Sequence, residues 1–227
     1  MKVALITGAS RGLGAAIAEA LNALGWTLIV DSRGVEALQE KSKSWENAIA
    51  VPGDVSDPAH RESLARAVRR LGRLDLLVNN ASLLGPSPQP TLDRYPIGLL
   101  AGVYEVNVFA PLALTQLVLP ELKESNGIVI NVTSDAGVEP YEGWGGYGSS
   151  KAALDQLTAI LGAENPSIAA YAFDPGDMRT QMHQEAFPGE DISDRPEPET
   201  IVPALIRLLE MRPQSGRYRA ADLMVHA

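Results

Sequence analysis

Tyr147 and Lys151 stand four residues apart in a stretch of helical periodicity, which puts both side chains on one face. An ammonium ~5 Å from a phenol, at an effective dielectric of ~20, is worth roughly 3 kcal/mol and would draw a tyrosine down toward the neutral range. A phenol tuned in that way is a general acid or base. Such a pair is also common as surface decoration, so its meaning depends on what the fold brings to it. Tyr141 has Gly145 at the same offset and offers no second pair. Ser134 lies 13 residues before Tyr147, just after the apolar run 128–132. That is the C-terminal end of a strand, where open parallel sheets bind ligands. Thr133 is a competing hydroxyl, and either one could simply cap the next turn. Asn107 is an amide inside an otherwise apolar helical stretch, where burial obliges it to find hydrogen-bond partners.

A phosphate-binding element is legible near the N-terminus. Thr7, Gly8, Ala9, Ser10, Arg11, Gly12, Leu13 and Gly14 close the first apolar run and open a helical one. Glycines there let the backbone turn tightly and approach a pyrophosphate, which the helix N-terminus meets with unpaired N–H groups and its dipole. The first two glycines are one residue further apart than in the common dinucleotide fingerprint, so this segment alone does not decide the ligand. At the end of the next apolar run stand Asp31, Ser32 and Arg33. A carboxylate there would bond a ribose 2′-hydroxyl, whereas a hydroxyl and a guanidinium would accept a 2′-phosphate. Asp31 and Ser32 adjoin in a strand and point to opposite faces, so only one of them meets the ribose. Arg11 would add a second cation nearby; the alternative for both arginines is solvated surface.

The scaffold that positions these groups is written in the apolar pattern. Short, partly β-branched runs at 3–6, 27–30, 48–51, 74–78, 128–132 and 169–173 read as buried strands. Helical periodicity fills the intervals at 12–24, 35–43, 58–71, 99–123 and 147–162. Alternation of strand and helix predicts an α/β fold, a parallel sheet with helices on both faces. The segments 85–90, with three prolines, and 177–198, rich in acids, Pro and Gly, break the rhythm and read as loops. The second is long enough to be a mobile substrate lid. No repeat or linker divides the chain, so a single domain spanning 1–227 is expected.

Composition removes several classes. With 45% hydrophobic and 21% charged residues over 227 positions, the chain is globular and long enough for one large core. Nineteen basic against 28 acidic residues leave a net charge of −9, which repels phosphate backbones and anionic lipid, so neither nucleic acid nor a membrane is an expected partner. The absence of cysteine excludes disulfides, thiolate nucleophiles and Cys-based metal sites, and suits a cytoplasmic protein. The apolar stretch 108–122 is broken by Pro111, Thr115, Gln116 and Pro120 and falls short of the ~20 residues of a membrane span. The first ten residues carry one lysine and no small-residue cleavage site, so no signal peptide is expected. His60, His183 and His226 lack ligand spacing; no metal is expected, and packing or surface roles are.

Taken in order, these residues resemble the short-chain dehydrogenase/reductase family along almost the entire chain, and as a set they are specific. The resemblance implies a Rossmann-like doubly wound parallel sheet in a single domain. Thr7 to Gly14 resemble the family's coenzyme loop, with Gly8, Ser10, Arg11, Gly12, Leu13 and Gly14 at the cofactor. Asp54 and Val55 are similar to its adenine contact after the third strand. Asn79, Asn80 and Ala81 resemble its sheet-stabilising motif, and Pro175, Gly176 and Thr180 its nicotinamide-side loop. The family's catalytic four fall on Asn107, Ser134, Tyr147 and Lys151. Its ribose-selecting position falls on Ser32, followed by Arg33, which implies NADP(H).

The activity so implied is NADPH-dependent reduction of a ketone or aldehyde, or the reverse oxidation of an alcohol. Tyr147 would give the proton, Ser134 would bond the carbonyl oxygen, and Lys151 would hold the ribose and lower the Tyr147 pKa. Asn107 would keep a water that relays protons through Lys151. A non-enzymatic NADP(H)-binding regulator on the same fold is the alternative. Glu139, Tyr141, Glu142 and Trp144, with Met178, Met182, His183 and Phe187 of the 177–198 segment, could line a pocket for a polar, ring-containing carbonyl compound such as a pterin. A solvated loop is the equal alternative. Two departures from the family stand out: Ser82 replaces the usual glycine after Ala81 and is expected to narrow the floor of the site, and 215–227 lack a paired-glycine ending. The helices through 103–122 and after Tyr147 resemble the pair that builds the family's dimer, so a homodimer or homotetramer is expected.

Overall fold

A computed structural model describes residues 1–224 and sets all six expected strands, with a seventh, in one parallel sheet. The strands β1 (Val3–Ile6), β2 (Thr27–Val30), β3 (Ala48–Ala50), β4 (Leu76–Asn79), β5 (Ile128–Val132), β6 (Ala169–Asp174) and β7 (Gly216–Arg219) lie in the order β3-β2-β1-β4-β5-β6-β7. From β1 the chain winds outward to β3, then crosses back to β4 on the other side of β1. A crevice opens at such a reversal, outside the C-terminal strand ends. β1, β4, β5 and β6 are buried along their whole length, which is why their sequences are continuous apolar runs rather than alternating ones.

Helices cover both faces. On one, α1 (Gly12–Ala23), α2 (Val35–Ser42), α8 (Val202–Met211) and α9 (Ala220–Met224) close a core around Ile6, Val30, Val78, Ile130 and Phe173. On the other, α3 (Pro58–Leu71), α5 (Ala110–Glu124) and α6 (Gly145–Glu164) pack Leu64, Val68, Leu114, Val118 and Leu161 against Leu5, Leu77 and Val129. The limits of α3 are set locally: the Asp57 carboxylate accepts the Ala59 N–H at 2.9 Å, Pro58 opens the first turn, and Gly72 ends the helix in the left-handed region.

Several expectations need correction. β4 starts two residues later than the apolar run 74–78, because Leu74 is spent on the core beside α3. The helix expected at 99–123 is a longer rod, α4 (Ile97–Tyr104), a π turn (Glu105–Phe109) and α5, continuous through Pro111 and Pro120. Its 28 residues, Ile97–Glu124, are long and apolar enough to cross a membrane, contrary to the shorter span read from 108–122. Here its Val103, Val108, Leu114, Val118 and Leu122 are buried in the domain. The 177–198 segment is not all loop: Thr180 accepts the His183 N–H at 3.2 Å and caps α7 (Gln181–Ala186). α8, β7 and α9 lie in a region where the pattern predicted no element. The Gly-Arg-Tyr-Arg sequence of β7 sits half-exposed at the sheet edge and offers no apolar run. His226 lies outside the described residues.

Candidate active site

A cleft of about 1010 Å³ opens at the C-terminal ends of β1, β2, β4, β5 and β6. Every residue expected at the cofactor or among the catalytic four lines it except Gly14, which abuts Gly8 and Asn80, and Asn107, which bonds Ser82; of the side chains expected to line a substrate pocket, Glu139 and Glu142 do not. A Cβ on Gly14 would lie 2.4 Å from the Gly8 carbonyl and 2.5 Å from Asn80 Nδ2, so only glycine lets α1 sit this close to the loop. The loop is tied across the reversal point. Thr7 Oγ1 accepts the N–H groups of Asn80 and Ala81, both at 3.0 Å, while Asn80 Nδ2 donates to the carbonyls of Thr7 at 2.9 Å and Gly8 at 3.2 Å. Asn79 turns the other way and donates to Asn131 at 2.8 Å across β4 and β5.

Asp31 and Ser32 both line the cleft at the end of β2, and their side chains are engaged differently. Asp31 is 1% exposed; one carboxylate oxygen accepts the Gly8 N–H at 2.9 Å and the other meets His60 Nε2 at 2.9 Å. Burial raises its pKa, and the His60 and Gly8 bonds oppose the shift. Ser32 is also buried, its hydroxyl donating to the Gly34 carbonyl at 3.2 Å, and Arg33 is exposed beside it. At the adenine end, burial pushes the Asp54 pKa upward, but the Ser56 N–H and hydroxyl, at 2.8 and 2.7 Å, and the Arg33 charge bring it below the ordinary value. The Val55 carbonyl accepts from Arg61 at 2.6 Å. Arg11 lines the same cleft as Arg33, and its guanidinium bonds Gln181 of α7, which joins the glycine loop to the 177–198 segment.

Tyr147 and Lys151 do share one face of α6, in its first two turns. A Cβ on Gly148 would lie 2.4 Å from the Ala136 carbonyl; its absence lets α6 press against the turn after β5, where Tyr147 packs with Ala136. Lys151 Nζ sits 5.4 Å from the Tyr147 ring centroid and donates to the Val132 carbonyl at 2.8 Å. The expected lowering of the tyrosine does not occur. Burial pushes Tyr147 up to about 12, a Ser82 hydrogen bond lowers it only in part, and the negative charges of Asp174 and Asp135 raise it. The same burial pushes Lys151 down to about 8, with Asp155 one turn on pulling it back upward. Desolvation is the largest cause for both groups, and neither contributes to the other's shift.

Ser134, not Thr133, is the more accessible hydroxyl. Thr133 is buried, whereas Ser134 is partly exposed in the cleft, donating to Asp135 at 3.0 Å and accepting the Ala136 N–H at 3.2 Å. Asn107 lies in the π turn, and its amide is fully committed. Oδ1 accepts from Ser82 Oγ at 3.1 Å and Leu83 N–H at 2.8 Å; Nδ2 donates to the Leu83 carbonyl at 2.9 Å and Ser150 Oγ at 3.0 Å. Ser82, which lines the cleft, donates its hydroxyl to Asn107.

Over the open side of the cleft, Trp144 stacks edgewise on Tyr147 with centroids 5.9 Å apart and contacts Phe187 at 5.7 Å. His183 packs on Phe187 at 4.8 Å, and its Nε2 is buried without a partner. Neither His60 nor His183 is a surface residue. Arg217 of β7 was also missed. Its guanidinium donates to Asp174 at 2.7 Å, to the Ser134 carbonyl at 3.1 Å and to Asp155 at 3.1 Å, clasping β5, β6 and α6 from behind the site. Nothing local marks it, because its partners are brought close only by the sheet. No cluster of three or more metal-ligating side chains occurs among the described residues.

The family model for short chain dehydrogenases matches residues 2–191. The chain is 33% identical to benzil reductase ((S)-benzoin forming) of Saccharomyces cerevisiae, over 81% of this chain and 74% of that one. It is 31% identical to the sepiapterin reductase of Mus musculus, over 81% and 77%. A short chain dehydrogenase from Shigella flexneri, solved in complex with NADP, superposes with a TM-score of 0.89 at 27% identity, covering 97% of each chain. The protein belongs to the short-chain dehydrogenase/reductase family of oxidoreductases, which use nicotinamide cofactors.

Proposed function

We propose that the protein is a cytoplasmic NADP(H)-dependent oxidoreductase that reduces a ketone or aldehyde, or oxidises the corresponding alcohol, at Ser134, Tyr147 and Lys151. The observation that carries this reading is that those three side chains line the same cleft as Gly8, Ser10, Arg11, Gly12 and Leu13 of the glycine loop. The donor set suits a dinucleotide: backbone N–H groups at the start of α1 for a pyrophosphate, and a buried amine within reach of the cleft for a ribose. Preference for the phosphorylated form is supported by the engagement of Asp31, which leaves Ser32 and Arg33 to face the 2′ position. NADP in the Shigella flexneri relative points the same way.

The nicotinamide, when bound, supplies the hydride. Tyr147, held protonated by burial, donates its phenolic proton to the carbonyl oxygen during reduction. Ser134 swings its hydroxyl from Asp135 to the same oxygen and stabilises the negative charge developing there. Lys151 holds the ribose and, as an ammonium, stabilises the phenolate that Tyr147 becomes. Because the Asn107 amide is committed, a relay water falls to the backbone of the π turn, where the α-helical ladder is broken.

Trp144, Phe187 and His183 beside Tyr147 favour a planar, ring-bearing carbonyl compound, a class that the names of the benzil and sepiapterin reductases also denote. The 177–198 segment, latched to the glycine loop by Gln181 and Arg11, is assigned as the lid. Exposed Leu99, Phe109 and Ile160 on the long rod and α6 are assigned to a homodimer or homotetramer contact. The test is a panel of aryl ketones, diketones, aldehydes and pterins incubated with NADPH or NADH while nucleotide absorbance is followed. Consumption of NADPH with a ring-bearing carbonyl is expected, and NADPH binding without consumption on any panel member contradicts the reading.

A further inference from the structure

The geometry points to His60 as a positioning residue for coenzyme selection: by holding the Asp31 carboxylate against the glycine loop, it withholds from the ribose the one acid that would favour NADH. This rests on the NADP(H) reading above and adds to it a residue on α3, outside the coenzyme loop and the strand end that follows it.

Three observations carry it. Asp31 stands at the end of β2 on the lining of the cleft, yet both its oxygens are taken, one by Gly8 N–H and one by His60, each at 2.9 Å. An ionised carboxylate only accepts, so His60 Nε2 carries the hydrogen between them. Second, the imidazole sits in a place shaped for it. His60 is 7% exposed in the first turn of α3, and a Cβ on Gly53 would lie 2.2 Å from its Nδ1. Third, the same packing reaches Ser32, whose carbonyl accepts the Gly53 N–H at 3.0 Å. His60 thus fixes what the acid does and borders the loop that holds the hydroxyl in place.

The consequence follows from charge. A carboxylate turned to the ribose attracts a 2′-hydroxyl and repels a 2′-phosphate. Without His60, Asp31 keeps only the Gly8 bond, and its second oxygen is unpaired at the edge of the cleft. A residue that was merely structural would weaken both dinucleotides alike when lost; a selecting residue changes their ratio.

The test measures NADPH and NADH dissociation constants for the wild type, His60→Ala, His60→Gln and Asp31→Ala. His60→Ala is expected to narrow the NADPH-to-NADH preference by about fivefold or more, through gained NADH affinity, lost NADPH affinity or both. His60→Gln, which can still donate to Asp31, should hold the ratio within about twofold of wild type. Asp31→Ala, which also frees the Gly8 N–H of the coenzyme loop, should weaken both dinucleotides without narrowing their ratio. If His60→Ala does not fold, His60→Asn, with an amide too short to reach Asp31, should narrow the ratio in the same way. A wild-type NADPH preference that His60→Ala or His60→Asn leaves unchanged overturns the role of His60 and spares the NADP(H) reading. A wild-type NADH preference that disappears in Asp31→Ala overturns both, because Asp31 would then be the ribose ligand.

Discussion

Asn107 Nδ2 donates to the Ser150 hydroxyl at 3.0 Å and so fastens the π turn of the long rod to the first turns of α6, between Tyr147 and Lys151. With Ser82 and both backbone groups of Leu83 on its remaining sites, Asn107 is a strut for the site, and its side chain has no capacity left for a relay water. Asn107→Ala should therefore cost about 2–4 kcal/mol, since it strands several buried polar groups at once. Chemical denaturation checks this; an unchanged midpoint would mean that the four bonds contribute nothing.

Lys151 gives a pH signature. Burial brings its pKa down to about 8, so the ammonium is present below that pH and lost as pH rises through it. If the charged form holds the ribose, NADPH affinity should fall between about pH 7 and 9, well before an ordinary lysine would titrate. Titration calorimetry across that range is the check. Lys151→Met should bind more weakly and show no such step; an identical step in that variant would assign the titration to another group.

How far the site was legible depends on how local its causes are. The glycine loop, the four-residue offset of Tyr147 and Lys151 and the order of strands and helices are short-range patterns, and the structure follows them. The tyrosine shift could not be read, because its sign is set by how completely the fold encloses Tyr147, not by the spacing of two residues along α6. Asp31 and His60 are 29 positions apart, and Arg217 and Asp174 are 43 apart. Only the sheet order makes them neighbours, so neither pair has a signature along the chain.

Arg217 is the tertiary clasp behind Ser134. Removing it in Arg217→Met leaves the Asp174 carboxylate buried without its partner, at a cost of about 1.5–3 kcal/mol. Turnover should fall along with the melting temperature, because the Ser134 backbone loses its anchor. A variant as stable and as active as wild type would remove Arg217 from the account.

Phe109 is half exposed on the rod assigned to subunit contact. Light scattering should find a dimer or tetramer at tens of micromolar, and Phe109→Glu should shift it toward monomer by burying a charge in an apolar interface. A monomeric wild type at that concentration contradicts the assignment.

The central claim is that Tyr147 gives the proton to a reduced carbonyl, and the most direct test is the single-turnover rate of NADPH oxidation in Tyr147→Phe. With any carbonyl compound that the wild type reduces, the phenylalanine keeps the ring contact with Trp144 and loses only the hydroxyl. The rate should fall about 100-fold or more while NADPH affinity changes little. A near-normal rate in that variant would contradict the account.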